Sequence, residues 1–258
     1  MKYAASTTAG LRFAFGSASH RGRIVAVTTE AAAPPVVALV AARNEADRIG
    51  ATLDALAEAF PGGIFWVADD ASTDGTADVA LAHGARVVRR GRSHGKGGNV
   101  TAAAEAALSE EPPPGLVLVC DGDLGGSARQ LTALVERVAG GDCDLAIAAF
   151  RVRVGGGFGV ALSYARWAIE RRCGYRAGAP ISGQRAMRRE VLEAALPFAR
   201  GYGMEIGITI DAVRAGYRVC EIELGLEHRA TGKTIGGFVH RARQLRDFTG
   251  VFRLKRKG

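Results

Sequence analysis

From Val36 onward the chain alternates short apolar runs with amphipathic stretches of helical length, and this alternation constrains its fold more than any other feature. Val36 to Ala42 is a continuous apolar run, the pattern of a parallel strand buried on both faces. Ile49, Leu53, Leu56 and Phe60 then mark one face of a helix, which Pro61-Gly62-Gly63 ends. Ile64 to Ala68 reads as a second strand, followed by a helix opening near Thr76. Arg86 to Arg89 reads as a short third strand, with a helix over Val100 to Leu108 after it. Leu116 to Cys120 is the fourth strand, Leu131, Leu134, Val135 and Val138 line the next helix, and Leu145 to Ala149 is a fifth strand. The pattern predicts an α/β fold with a doubly wound, mostly parallel sheet flanked by helices. Such sheets bind ligands beyond the carboxyl ends of their strands, so the residues leaving each strand are the place to search.

A length of 258 residues suits one large α/β domain or at most two small ones. No apolar run approaches the roughly 20 residues needed to cross a bilayer, so a membrane-spanning protein is not expected. Residues 1–35 are rich in Ala, Ser, Thr and Gly, lack sustained periodicity and end at Pro34-Pro35, which reads as a loosely held extension. Ser and Thr interrupt its apolar stretches, and Arg12, Arg21 and Arg23 fall where a cleavage site should follow, so a secretory signal is not expected either. The cysteines at 120, 143, 173 and 220 form no C-x-x-C pair. A zinc ribbon and a disulfide scaffold are therefore disfavoured, and a reducing cytoplasm fits.

The net charge of +8 is concentrated at one end: residues 229–258 hold nine basic side chains and one acid, Asp247, so the rest of the chain is neutral. Within 236–258, Phe238, Ala242, Leu245, Phe248 and Phe252 follow helical spacing, with Arg241, Arg243, Arg246 and Arg253 between or beside them. A packed helix with a solvated basic face explains this pattern, and so does a helix lying on an anionic membrane surface or meeting a phosphorylated acceptor. Nucleic acid fits poorly, because the aromatic residues lie on the apolar stripe and not in a stacking platform.

The first strand runs into Ala42-Arg43-Asn44-Glu45, and the second into Asp69-Asp70-Ala71-Ser72-Thr73-Asp74-Gly75-Thr76. Gly95-Lys96-Gly97-Gly98-Asn99 follows the third, and Asp121-Gly122-Asp123 ends the fourth. Crowded acids at strand tips are costly unless a cation or hydrogen-bond donors answer them. Asp121 and Asp123 alternate along an extended segment and can face one ligand, such as a hard divalent cation that keeps sites open for phosphate oxygens. A turn with a helix N-cap is the competing explanation of that pair. Asp74 and Thr76 suit an acidic helix start, whereas Asp70, at a strand tip, can accept hydrogen bonds from a ribose or base. The glycines around Lys96 let backbone N–H groups approach an anion, though a solvated loop lysine also explains it.

In this order the residues resemble the nucleotide-sugar glycosyltransferases of the GT-A fold, family 2 and its relatives. The resemblance runs from Val36 to about Asp247 and rests on Asn44-Glu45, Asp70 with Ser72-Thr73-Asp74-Gly75-Thr76, Gly95-Lys96-Gly97 and Asp121-Gly122-Asp123. Ser182-Gly183-Gln184-Arg185-Ala186-Met187-Arg188-Arg189 looks like the family's acceptor-side loop and following helix. The stretch from Pro197 to Gly207, with Leu224-Gly225-Leu226-Glu227-His228-Arg229, is similar to the glucosyl-3-phosphoglycerate synthases. Where those enzymes place basic and amide residues around the histidine, this chain has Leu226, Glu227 and Ala230, and its loop after the fifth strand is the short Gly155 to Gly159.

The resemblance implies a nucleotide-sugar binding half over 36–150, an acceptor-side half over 151–235, and the basic helix and tail beyond. It implies Asp123 and His228 as ligands of Mg²⁺ or Mn²⁺, Asp121 orienting ribose or the metal's water shell, and Lys96 on the diphosphate. Asn44, Glu45, Asp70 and Ser72 would hold the nucleoside, Gly183 would belong to the donor site, and Glu205 would lie beside the donor sugar. As the strong carboxylate candidate in the last third, Glu205 is also where an inverting enzyme would need its base, so the stereochemical outcome stays open. The expected donor is a UDP- or GDP-linked sugar, and the acceptor a phosphorylated small molecule or a polyprenyl phosphate. A homodimer also stays open. A sugar-phosphate nucleotidyltransferase would need a Gly-rich loop after the first strand, which Ala41 to Glu45 is not; a non-catalytic anion- or membrane-binding module is the remaining alternative.

Overall fold

In the computed structural model, the described residues are 35–111, 113–150 and 159–226, with 249, 250 and 252. Strand β1 (Val36–Ala42) leads to helix α1 (Ile49–Ala59), β2 (Ile64–Asp69) to α2 (Thr76–Ala82), and β3 (Arg86–Arg89) to α3 (Gly95–Leu108). Strand β4 (Leu116–Asp121) passes through a 3-10 turn (Gly125–Leu131) into α4 (Thr132–Ala139), and β5 (Leu145–Phe150) precedes α5 (Gly159–Cys173). Then come β6 (Arg185–Arg188), α6 (Arg189–Ala195), α7 (Met204–Arg214) and β7 (Val219–Leu224). The strands form one seven-stranded sheet in the order β3-β2-β1-β4-β6-β5-β7. All its neighbouring pairs are parallel except those of β6, which runs antiparallel to both β4 and β5.

The apolar run of β1 behaves as its sequence predicts. Val37, Ala38, Leu39 and Val40 are buried, with alternate side chains entering two different cores. One core lies under α1 and α4 and includes Leu53, Leu56, Leu118, Leu134 and Val138. The other lies under α3, α6 and α7 and includes Leu39, Val100, Leu192, Met204 and Ile208. Two-sided burial is what a parallel sheet needs.

Two elements differ from the sequence reading. Helix α3 begins at Gly95, five residues before the expected start, so Lys96 sits in its first turn and not in a loop. Three glycines make that turn a poor helix on propensity, but packing overrides it: a Cβ on Gly97 would lie 1.9 Å from the Ala199 carbonyl oxygen. The second is β6, an interior strand where the sequence suggested a loop and helix; its charged ends Arg185 and Arg188 hide an apolar pair, Ala186 and Met187, both buried. Among the cysteines, Cys143 and Cys220 are joined in a disulfide with their Cα atoms 5.9 Å apart, a single bridge where the sequence disfavours a disulfide scaffold. They are 77 residues apart and meet only because β5 and β7 are neighbours. Cys120 and Cys173 are free. Among the described residues, no helix is long and apolar enough to cross a membrane.

Candidate active site

The carboxyl ends of β1, β2 and β4 are laced together by side chains from the turns that leave them. Asn44 takes a left-handed backbone (φ 56°), which its short polar side chain tolerates. Its N–H donates to Ser72 Oγ at 2.9 Å, and its Oδ1 accepts from the Thr73 N–H at 2.9 Å. The Glu45 N–H donates to Thr76 Oγ1 at 2.9 Å. Asp74 accepts from the N–H groups of Ala46 and Thr76, both at 3.1 Å, as a turn-forming carboxylate. Ala71 is also left-handed (φ 58°), a conformation that costs an ordinary residue about 1–3 kcal/mol and is held here by the bonds on either side.

Asp70 is nearly buried, and both its oxygens accept hydrogen bonds. Oδ2 takes one from Ser93 Oγ at 2.7 Å and Oδ1 one from the His94 N–H at 2.9 Å. Asn99 Nδ2 also donates to Oδ1, and the Arg43 guanidinium lies 3.5 Å from Oδ2. Asp70 therefore fixes the segment that enters α3. That segment delivers Lys96.

Lys96 Nζ lies 2.6 Å from Asp121 Oδ1 and 2.9 Å from Glu205 Oε1, so one ammonium bridges the end of β4 and the first turn of α7. Burial alone would lower its pKa, but Asp121 and then Glu205 outweigh that and hold it above the ordinary lysine value. The other oxygen of Asp121 accepts from Gln184 Nε2 at 2.7 Å. Gly183 closes this cluster with bare backbone: a Cβ there would stand 2.5 Å from Lys96 Nζ and 2.7 Å from Asp121 Oδ2. Burial pushes the neighbouring Cys120 thiol up, so it stays protonated and inert.

The Asp121-Gly122-Asp123 turn is clamped from α1. Thr52 Oγ1 donates to the Gly122 carbonyl at 2.8 Å and accepts from the Gly125 N–H at 2.8 Å, and Arg48 Nη1 donates to the Asp123 carbonyl at 3.3 Å. Gly122 is tight as well, since a Cβ would meet Ile49 Cδ1 at 2.9 Å. Two carboxylates on a rigid turn suit a hard cation that keeps water and phosphate among its ligands, for which one or two protein oxygens suffice. Among the described residues no three His, Cys, Asp or Glu side chains gather into a complete metal cage. His228, the metal ligand that the resemblance pairs with Asp123, lies outside the described residues, as does most of the segment 236–258.

The structure thus brings Lys96, Asp121, Gly183 and Glu205 together, and builds Asn44, Ser72 and Asp70 into the framework beside them. Sequence reasoning did not single out Thr52, Gln184 or Arg185. Thr52 interrupts the apolar face formed by Ile49, Leu53 and Leu56, and a polar residue on such a face signals a buried partner. Arg185 is fully buried, its Nε donating to the Ser182 carbonyl and its Nη1 to Thr209 Oγ1, each at 2.8 Å. Burial pulls its pKa down to about 10, against Glu205 and Glu221, so it remains charged at neutral pH.

The sequence pattern described as Glycosyl transferase family 2 matches residues 37–196. Undecaprenyl-phosphate mannosyltransferase of Micrococcus luteus is 29% identical over 230 residues, covering 80% of this chain and 90% of that one. Glucosyl-3-phosphoglycerate synthase from Mycobacterium tuberculosis, in complex with Mn²⁺, UDP and glucosyl-3-phosphoglycerate, superimposes with a TM-score of 0.68 at 26% identity, over 86% of this chain and 80% of that one. The same enzyme with Mg²⁺ and UDP gives a TM-score of 0.67 at 26% identity, over 86% and 79%.

Proposed function

The chain belongs to glycosyl transferase family 2, an enzyme family acting on nucleotide-sugar donors, and from that premise we propose that it moves a glycosyl group from a UDP-linked sugar to a phosphorylated acceptor with the help of Mg²⁺ or Mn²⁺. The convergence of Lys96, Asp121, Gly183 and Glu205 at the end of β4 and the first turns of α3 and α7 carries this reading, because it sets one cation and two anions where a diphosphate and a sugar would meet.

In this reading Glu45 and Asp70 border the nucleoside pocket, and Asn44 and Ser72 hold its rim by their mutual bond. Lys96 pairs with the diphosphate, and Asp121 orients the ribose or the metal's water shell. Asp123 and His228 would hold the metal ion, which supplies positive charge to the leaving diphosphate. Charge placed there lowers the barrier more than it tightens the ground state. Glu205, fixed in the first turn of α7, stands beside the transferred sugar. The relatives with phosphoglycerate and polyprenyl-phosphate acceptors share a phosphate monoester, and that group is the acceptor feature proposed here. The basic tail is proposed to bring the enzyme to an anionic lipid surface.

UDP and GDP are compared by thermal shift with and without Mn²⁺. A metal-dependent rise with UDP is expected, since a ligand at 100 times its Kd stabilises the folded state by about 2.7 kcal/mol. Asp123→Ala, or excess chelator on the unmodified enzyme, is expected to abolish sugar transfer. Full transfer in excess chelator would remove the metal from the mechanism. Assays with 3-phosphoglycerate and with undecaprenyl phosphate then separate the two acceptor sources.

A further inference from the structure

The ammonium of Lys96 lies between two carboxylates, Asp121 on the exit of β4 and Glu205 on α7, at 2.6 and 2.9 Å. Both oxygens of Asp121 are occupied, one by Lys96 and the other by Gln184. The backbone of Gly183 covers the cluster so closely that a Cβ there would displace the Lys96 ammonium or the Asp121 carboxylate. Lys96 itself is held from behind: it lies in the first turn of α3, where Gly97 packs directly on the Ala199 carbonyl and the preceding segment is fastened to Asp70. This lysine is therefore built into the anionic pocket and is not a side chain reaching in from solvent.

We propose that Lys96 is a resident counter-ion which bars a lone divalent cation from the Asp121–Asp123 turn and gives way only to the diphosphate of the donor, so that nucleotide and cation enter as a pair. This rests on the metal-dependent reading above.

The physical argument is one of charge balance. A divalent cation arriving alone at the Asp121–Asp123 turn meets an ammonium already neutralising Asp121, and two cations crowded in a half-buried site repel. A diphosphate changes the balance. It gives Lys96 a second anionic partner and gives the metal oxygen ligands of its own, so the ammonium can share Asp121 without leaving it unanswered. Without the donor, Lys96 also offsets the repulsion between Asp121 and Glu205. The counter-ion thus couples two binding events, and such coupling is reciprocal.

The test measures Mn²⁺ binding alone, from the electron paramagnetic resonance signal of free Mn²⁺, and UDP binding in the presence of Mn²⁺, by calorimetry. Lys96→Met is expected to bind Mn²⁺ alone about tenfold more tightly than the unmodified enzyme and UDP–Mn²⁺ about tenfold more weakly. A lysine that only grips phosphate would lower the second affinity and leave the first unchanged, and that result overturns the proposal. Lys96→Arg, which keeps the charge, is expected to behave as the unmodified enzyme towards Mn²⁺ alone. Should Lys96→Met fail to fold, Glu205→Gln combined with Lys96→Met removes one charge of each sign and must bind Mn²⁺ alone more tightly than Glu205→Gln does. Equal affinities of those two variants overturn the proposal. If the unmodified enzyme binds no Mn²⁺ even with UDP present, the metal-dependent reading itself fails and takes the counter-ion with it.

Discussion

An alanine at position 183 would carry its methyl carbon to 2.5 Å from Lys96 Nζ and 2.7 Å from Asp121 Oδ2, both well inside contact distance. The lysine is a flexible chain and can retreat, so the fold has a way to absorb the change, but the retreat breaks the bridge to Glu205 and Asp121. Gly183→Ala is therefore expected to lower kcat/KM about 100-fold, the order of loss that a 1 Å misplacement produces, while Tm moves by only a few degrees. Steady-state kinetics beside a thermal melt check this, and a large fall in Tm with unchanged kinetics in the folded fraction would contradict it. Residues of this kind are hard to see in a sequence. Gly183 and Lys96 stand out by their place in motifs, but neither the contact between them nor the hydrogen bond from Gln184 to Asp121 follows from a separation of 63 or more residues. Asp70 shows the opposite case: its position at a strand tip was legible, whereas its bonds to Ser93, His94 and Asn99 depend on how α3 is delivered.

The elements were most legible where burial on both sides writes a continuous apolar run, as in β1, β2, β4 and β5, and least legible where tertiary packing overrides local preference. The first turn of α3 is glycine-rich because the Ala199 segment passes against it, and the strand β6 carries a buried arginine whose Nε and Nη1 find acceptors in Ser182 and Thr209. Strands β5, β6 and β7 have a second tie in Asp144, just before β5. Its carboxylate accepts from the Arg218 N–H at 2.9 Å and from the Arg218 guanidinium at 3.2 Å, and lies 3.2 Å from Arg188 Nε. The hydrogen bond from the Arg218 side chain and that from its backbone, with the two positive charges, hold the Asp144 carboxyl below its usual pKa. An acid whose folded pKa is depressed stabilises the native state above its unfolded pKa of about 3.9, and that stabilisation is lost as pH falls from there through the folded value. Asp144→Asn is expected to cost about 1–2 kcal/mol at pH 7 and to flatten the acid limb of the stability profile. Urea melts of both proteins from pH 7 to pH 2.5 measure the difference, and parallel acid limbs would show that Asp144 does not contribute there.

At the scale of the whole molecule, charge is distributed as unevenly as chemistry. The chain through residue 228 is formally neutral, and the net +8 belongs to residues 229–258. Phe252 marks one place where that segment meets the fold: its ring lies 4.7 Å from Trp167 and 3.6 Å from the Arg172 guanidinium on α5, beside an indole that is 48% exposed. An aromatic pair at the surface, next to a run of basic residues, suits the boundary between water and lipid headgroups, where rings enter and charges stay with phosphates. If the tail carries the enzyme to an anionic surface, the attraction is electrostatic and additive, at about 1 kcal/mol for each basic residue near the headgroups. Changing Lys255, Arg256 and Lys257 together to glutamate is then expected to reduce binding to vesicles containing phosphatidylglycerol by about 100-fold or more. Sedimentation with the vesicles at low salt reads this directly, with UDP binding measured in parallel as the control for the donor site. Because exposed charges are screened within about 8 Å at physiological ionic strength, the two proteins should converge as salt is raised towards 1 M. Equal sedimentation of both at low salt would leave the tail as a packed helix with a solvated basic face and would remove the membrane from this account.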